Sequence, residues 1–203
     1  SEHAQGNFFM HSGFPFLGYP SAGAWVNYGV GTENQNLPGY IVLQSGKAHT
    51  PHGGVSLFGN AFLPATTQGS IFNISGSQAV PHINPSMMKD EQRKALDLIQ
   101  SLDRGFADRV AAKDAVMASV ANAETAYLMQ ESVPELTDIS NESASTLENY
   151  GVNDAEAHKS EYARQCLMAR RLVERGVRFV ELSCCSYGIG GGGNANPWDQ
   201  HGD

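Results

Sequence analysis

The sequence has no long apolar run. None of its apolar stretches approaches the roughly eighteen residues that a transmembrane helix needs. The first residues, Ser1 to Asn7, have neither the basic region nor the apolar core of a signal peptide. We therefore expect neither a membrane span nor a targeting signal within this chain.

Basic residues are scarce: the chain has 13 Lys and Arg against 21 Asp and Glu, a formal net charge of −8. Because nucleic-acid binding depends on clustered basic side chains, this balance argues against a nucleic-acid partner. One basic cluster lies on and just after a predicted helix that also carries Glu161 and Glu174, and we interpret it as a solvent-exposed face. Its members are Arg164, Arg170, Arg171, Arg175 and Arg178.

Cysteine is also rare. The three cysteines, Cys166, Cys184 and Cys185, form no metal-ligand pattern, and the last two are adjacent. An odd number, divided between a predicted helix and a predicted strand, favours buried free thiols over a disulfide framework. The redox compartment is left open by this pattern.

The residues that are present indicate a folded chain. Apolar residues make up 41% and aromatic residues 9%, which is too much for a disordered protein, and 203 residues suffice for one domain. We interpret the chain as a single incomplete α/β domain, residues 1–203, helix-rich with few strands. It divides into a loop-rich part (1–84), a helical pair (85–135), a polar loop (136–154) and a helix–strand–glycine-loop unit (155–203).

Capping and breaker residues place the elements. Ser21 predicts a short capped helix that ends near Gly29 or Gly31, and the apolar run 40–43 after Pro38-Gly39 predicts a buried strand. In the middle, Ser86 predicts a helix to about residue 104, and a second helix, about 107–131, is expected to end before Pro134.

The last unit, residues 155–203, has the clearest secondary-structure signals. A helix over about 155–175 stops at Gly176 and leads into a strand, 177–182, which we expect to be parallel and central in its sheet. Ligand sites in α/β folds form just past the carboxyl ends of such strands. Only two convincing strands are predicted, and a stable parallel sheet usually has more, which favours an incomplete domain.

The loop after this strand carries the candidate chemistry. Asp199 and His201, with Asp203 nearby, offer the carboxylate and imidazole ligands that zinc prefers and that manganese and iron accept. The alternative is a simple turn in which Asp199 caps a helix. The preceding glycines, 190–193, lack the Lys and Ser/Thr of a phosphate-binding loop and are interpreted as a connector.

Other motifs for catalysis are missing. His3, His11, His49 and His52 have no helical i, i+4 spacing of the metalloprotease type, so we expect surface or locally hydrogen-bonded histidines. No Gly-x-Ser-x-Gly elbow supports serine hydrolase chemistry. The amides of residues 31–39 are expected to hydrogen-bond their own backbone before the Pro-Gly turn.

Several segments together resemble a secreted bacterial family catalogued as domain of unknown function 1501, a sulfatase-like branch of the alkaline phosphatase superfamily. The matching stretches are residues 20–29, 32–40, 132–136 and 169–180, followed by Trp198-Asp199-Gln200-His201-Gly202. The resemblance implies a partial three-layer α/β/α sandwich of the alkaline phosphatase type and a periplasmic or exported parent protein. It also implies that this chain is an internal fragment without the family's exported N-terminus, nucleophile turn and later metal-site residues.

The resemblance further implies that, in the intact protein, Asp199 and His201 bind one of two catalytic metals, such as zinc, manganese or calcium. Relatives place three residues between these ligands, whereas this chain has one, Gln200. We expect a fragment of a metal-dependent sulfate or phosphate ester hydrolase, inactive by itself, whose substrate is a small-molecule or polysaccharide ester. The alternatives are a non-catalytic scaffold that binds a glycan or an envelope protein, and a folded remnant stabilised by self-association at its strand edges.

Overall fold

The computed structural model describes residues 3–45, 53–75 and 78–183. Within these residues the chain forms six α-helices, three β-strands and two short 3₁₀ helices, Gly54–Phe58 and Ala65–Thr67. The main elements in chain order are α1 (His3–Ser12), α2 (Ala22–Val30), β1 (Tyr40–Gln44), β2 (Ser70–Asn73), α3 (Lys89–Ala107), α4 (Lys113–Thr137), α5 (Ala144–Tyr150), α6 (Ala157–Glu174) and β3 (Phe179–Leu182). The fold is therefore α/β and helix-rich, as the sequence predicts.

The three described strands form one parallel sheet in the order β2-β1-β3. Ile41 is in register with Ser70 on one side and with Val180 on the other. The prediction that β3 is parallel is confirmed, but the prediction that it is central is wrong for the described sheet. β1 is central because its run of Tyr40 to Leu43 is fully buried and pairs on both sides.

Both faces of the sheet are covered. Side chains on one face pack into a cluster that includes Ile41, Leu43, Phe72, Met129, Val133, Leu136, Met168 and Leu172, so α4 and α6 cover this face. On the other face, Tyr40 and Val42 pack with Leu57, Phe58 and the partly buried Phe8 of α1. A continuous apolar strand such as β1 needs this two-sided cover, because both of its faces would otherwise meet water.

The capping signals of two units are confirmed. The Ser21 hydroxyl accepts a hydrogen bond from the Ala24 amide at 3.3 Å and caps α2, which ends before Gly31. At the other end of the chain, Gly176 has a φ of +84° and turns the backbone from α6 towards β3. Glycine is the residue that reaches this left-handed region without strain.

Two elements of the loop-rich part were not predicted. α1 contains Gly6 and Asn7, which weaken its local helical signal, and tertiary contacts of Phe8 with the sheet hold it in place. β2 has only two apolar residues, Ile71 and Phe72, too few for a recognisable period. It forms a strand because it pairs with β1 over its whole length.

The boundaries of the helical pair also differ from the prediction. Met88, not Ser86, occupies the N-cap of α3, and α4 runs through Pro134 to Thr137. The helix continues for one more turn because proline removes a single amide donor, and the Asp138 amide still bonds to the Pro134 carbonyl at 3.1 Å. In the predicted polar loop, Ser143 caps the short helix α5 by accepting from the Thr146 amide at 3.1 Å.

The basic cluster is not simply a solvent-exposed face. Arg171 is buried, and its guanidinium donates to Glu142 at 2.8 Å and to the Glu135 carbonyl at 3.0 Å. Arg170 donates to the same Glu142 oxygen at 2.6 Å. These hydrogen bonds, led by that from Arg170, hold the pKa of Glu142 below its ordinary value. Part of the cluster therefore ties the loop before α5 to α6.

Among the described residues, no helix has the length and apolarity needed to cross a membrane. The described cysteine, Cys166, is a free thiol, as expected, but it is half-buried rather than buried, and burial raises its pKa. Cys184 and Cys185 lie outside the described residues.

The Tyr40 ring is held between two glycines. A Cβ atom added to Gly23 would lie 2.6 Å from ring carbons of Tyr40, and one added to Gly69 would lie 2.8 Å from the ring. Both approaches are closer than a methyl group tolerates, so α2 and the chain before β2 can contact β1 only through glycine.

Replacing Gly23 with alanine should therefore destabilise the fold. We expect Gly23→Ala to lower the free energy of unfolding by about 1–3 kcal/mol because the added methyl group overpacks the Tyr40 ring. Gly29 lies in the same helix with nothing near its Cβ position, so Gly29→Ala should leave stability unchanged or raise it by up to about 1 kcal/mol. Urea unfolding of both variants measures the difference; equal stabilities would contradict the packing described here.

Candidate functional site

The predicted metal ligands Asp199 and His201 lie outside the described residues, as do Asp203 and the glycine connector. Their roles therefore stay predictions. The structure describes the place from which their segment departs, since β3 ends at Leu182 beside the central strand. In a parallel sheet all carboxyl ends lie at one edge, and this edge is the usual place for a ligand site.

Buried polar groups gather at this carboxyl edge. The Gln165 side chain of α6 donates from Nε2 to the Ser45 hydroxyl at 2.5 Å and to the Ser183 carbonyl at 3.0 Å. Ser45 directly follows β1, and Ser183 directly follows β3. Gln165 is only 1% exposed, so its amide sits inside the protein at the ends of two adjacent strands.

The Gln165 amide is only half satisfied. Its Oε1 atom is buried and has no hydrogen-bond partner among the described residues. The orientation of the amide is fixed by Ser183, whose carbonyl can only accept and therefore requires the NH₂ group. A buried acceptor without a partner is costly, so this atom marks a point where a donor or a cation would be stabilising.

A second set of polar side chains, Glu181, Tyr40 and His11, lies on the opposite face of the sheet. Glu181 of β3 accepts from the Tyr40 hydroxyl at 2.7 Å, and its other oxygen lies 3.2 Å from His11 Nδ1 of α1. The His11 ring also packs edge-on against Phe58, with the ring centroids 5.4 Å apart. Three elements far apart in sequence thus share one carboxylate.

The two partners of Glu181 contact it in different ways. Burial, followed by the charge of Glu181, raises the pKa of Tyr40 well above its ordinary value, so this hydroxyl keeps its proton and acts as a donor. His11 Nδ1 lies 3.2 Å from the other carboxylate oxygen of Glu181, within ion-pair distance, and this contact together with the packing against Phe58 positions the ring. A histidine oriented by a carboxylate in this way is the arrangement found in general bases and in metal-bound imidazoles.

The described residues do not by themselves make a metal centre. No group of three or more His, Cys, Asp or Glu side chains lies close enough together in residues 3–45, 53–75 and 78–183. The Gln165 oxygen is a neutral group, and His11 is paired with a single carboxylate. The described residues therefore leave the charged ligands of a metal at the carboxyl edge unassigned.

A cleft of about 520 Å³ opens at the other edge of the sheet, where the strands begin. It lies between the loop before β1, the chain before β2 and the helix α4. Its lining carries five side-chain amides: Asn27, Asn34, Gln35, Gln68 and Asn122. The predicted backbone bonding is confirmed for Asn34, whose Oδ1 accepts from the amides of Asn36 at 2.6 Å and Leu37 at 2.7 Å.

Sequence reasoning located the strand that leads to the carboxyl edge but missed most of the groups there. His11 was expected to have only a local or surface role, yet its partner Glu181 is 170 residues away in sequence. In the sequence, Gln165 is one of many polar residues on a helix. The sequence pointed to these groups only indirectly. A polar residue in the apolar face of α6 needs a buried partner, and so does a glutamate inside a short apolar strand.

The burial of Tyr40, together with its contact with Glu181, should make stability depend on alkaline pH. Because the folded state keeps the phenolic proton above the ordinary tyrosine pKa of about 10, this contribution is complete below that pH and is lost as the pH rises above it. Above that pH, this contribution should fall by up to about 1.4 kcal/mol per pH unit in the unsubstituted chain, and we expect Tyr40→Phe to abolish this fall. At neutral pH, we expect Tyr40→Phe to lower the free energy of unfolding by about 1–3 kcal/mol.

Urea unfolding between pH 8 and 11 measures this difference. Tyr28→Phe is the matched control, since Tyr28 is 56% exposed and should leave both the slope and the neutral stability unchanged. A Tyr40→Phe protein that loses stability above pH 10 as steeply as the unsubstituted chain would contradict a buried, protonated Tyr40.

The comparisons with known proteins give one match. No curated protein and no solved structure matches the chain. Residues 1–203 match the family described as "Protein of unknown function (DUF1501)". This match covers the whole sequence and agrees with the family named from the sequence segments alone. The chain therefore belongs to the DUF1501 family.

Proposed function

We propose that this chain forms part of a metal-dependent hydrolase of sulfate or phosphate esters, with the metal site at the carboxyl edge of the sheet. The observation that carries the proposal is the position of β3. It lies parallel to and beside the buried strand β1, and the chain continues from it towards Asp199 and His201. Two buried polar side chains, Ser45 and Gln165, already occupy the same edge.

Asp199 and His201 would hold the metal, because a carboxylate and a neutral imidazole suit zinc and manganese, and the carboxylate also suits calcium. A bound divalent metal supplies charge that stabilises the developing negative charge at sulfur or phosphorus. The Gln165 oxygen at the carboxyl edge has no hydrogen-bond partner among the described residues, which supports a polar group or a cation bound beside it. The proposal assigns the nucleophile to no residue of this chain, so we expect no turnover from the chain alone.

Helices on both faces of the sheet support a three-layer α/β/α arrangement of the alkaline phosphatase type. An enzyme of this kind would act on a small-molecule or polysaccharide ester. A periplasmic or exported location belongs to the same proposal, since it rests on the resemblance to the secreted family.

Metal binding tests the proposal first. We expect the purified chain to bind zinc, manganese or calcium in titration calorimetry, and we expect Asp199→Asn and His201→Ala to abolish this binding because each removes one charged or imidazole ligand. The matched controls are Asp114→Asn and His158→Ala, which change the same residue types at exposed helical positions. Binding that survives both site substitutions would overturn the assignment of the ligands.

Activity is the second measurement. In the protein that contains this chain, we expect metal-dependent hydrolysis of aryl sulfates or aryl phosphates, lost in Asp199→Asn and kept in Asp114→Asn. Absence of turnover after loading with each metal would reject the hydrolase.

A non-catalytic scaffold that binds a glycan or an envelope protein is the second candidate. The single residue between Asp199 and His201 favours it, because relatives of the resembled superfamily separate these ligands by three. Stoichiometric metal bound through His201 would count against the scaffold, whereas a metal-free but folded protein would support it.

A further inference from the structure

The cleft at the amino-terminal edge of the sheet has no part in the hydrolase proposal. Pro38 and Gly39 precede β1, and Gln68 precedes β2, so the cleft lies at the opposite ends of the strands from Ser45 and Ser183. Strands of four or five residues separate the two edges by about 15 Å. A ligand in the cleft would therefore occupy a different site from one at the carboxyl edge.

The described residues that line the cleft include no ionisable side chain. Charged residues make up 17% of the chain, so their complete absence from a lining of this size indicates a surface suited to an uncharged ligand. A charged ligand would lose hydration on entering the cleft and would meet no countercharge there. This feature separates the cleft from the sulfate or phosphate chemistry proposed above.

Amide groups at the rim are available to a ligand. The side chains of Gln35, Gln68 and Asn122 are exposed and have no hydrogen-bond partner among the described residues. Each amide presents a donor group and an acceptor oxygen side by side. Neighbouring hydroxyls of a sugar ring, which both donate and accept, can pair with such an amide in two hydrogen bonds.

The floor of the cleft is apolar and held in place. Leu37 and Met129 are buried beneath it. The accessible apolar surface of Pro38, Ala65 and Ala126 suits the C–H face of a sugar ring. Asn34 is fixed by donating to the Arg175 carbonyl, and Asn27 donates to the Thr66 carbonyl at 3.3 Å. The cleft is therefore formed before a ligand binds, which lowers the cost of binding.

We propose that this cleft binds a neutral oligosaccharide. A peptide that binds by strand addition pairs its backbone with a strand edge, whereas this cleft offers side-chain amides and hydroxyls beside a small apolar surface. The inference goes beyond the hydrolase proposal and does not depend on it, because no residue of the cleft belongs to the carboxyl edge.

The experiment titrates the chain with maltohexaose, cellohexaose and xylohexaose in separate calorimetric or NMR titrations. At least one neutral hexasaccharide binds, and the triple variant Gln35→Ala, Gln68→Ala, Asn122→Ala weakens its binding by on the order of tenfold or more, because several hydrogen bonds are removed together. The control variant Gln5→Ala, Asn141→Ala removes two exposed amides elsewhere and keeps the affinity. Circular dichroism checks that both variants fold.

Three results would overturn the proposal. One is that none of the three hexasaccharides binds. The second is that affinity survives the triple variant in a folded protein. The third is that a sulfated heparin hexasaccharide or a Gly-Ser hexapeptide binds as tightly as the best neutral sugar. Repeating the titration with the Asp199→Asn variant separates this site from the metal site, since the affinity for the sugar persists there even if the metal proposal fails.

Discussion

The parallel pairing of β1 with both β2 and β3 is the constraint on which the rest of the structure depends. β1 is buried on both faces, and its partner β3 comes from a part of the chain about 140 residues further on. Closing such a long loop costs entropy, which the burial of an uninterrupted apolar strand must offset. The pairing also sets α1, through His11, and α6, through Gln165, against β3 and the residue that follows it, Ser183.

This pairing explains why the polar groups of the molecule fall into two separate places. The carboxyl ends of the strands carry Ser45, Gln165 and Ser183, all buried or half-buried and all linked by one amide. The opposite ends open into the uncharged cleft. Between these two ends, the Tyr40 hydroxyl donates a hydrogen bond to Glu181. Tyr40 therefore both packs in the core around β1 and orients this carboxylate.

Local signals in the sequence were sufficient where one residue determines a geometry. Ser21 capped α2 as predicted, and Gly176 marked the turn from α6 towards β3. Non-local contacts set two of the elements that were missed, because β2 forms only against β1 and α1 is held by contacts of Phe8. The short helix α5 was also missed, although Ser143 caps it locally.

The same division between local signals and distant contacts holds for the candidate site. Its strand could be predicted from the sequence. The roles of the Glu181 carboxylate and the Gln165 amide could not, because their partners are distant in sequence.

Paramagnetic broadening by Mn²⁺ tests the central claim most directly, namely that Asp199 and His201 bind a metal at the carboxyl edge of this sheet. Mn²⁺ is added to the isotope-labelled chain and the amide signals are followed by NMR. The account predicts that the signals of Ser45 and Ser183 broaden first, while those of Gly39 and Gln68, about 15 Å away at the opposite edge, persist. Broadening centred on the opposite edge, or none in a folded chain, would contradict it.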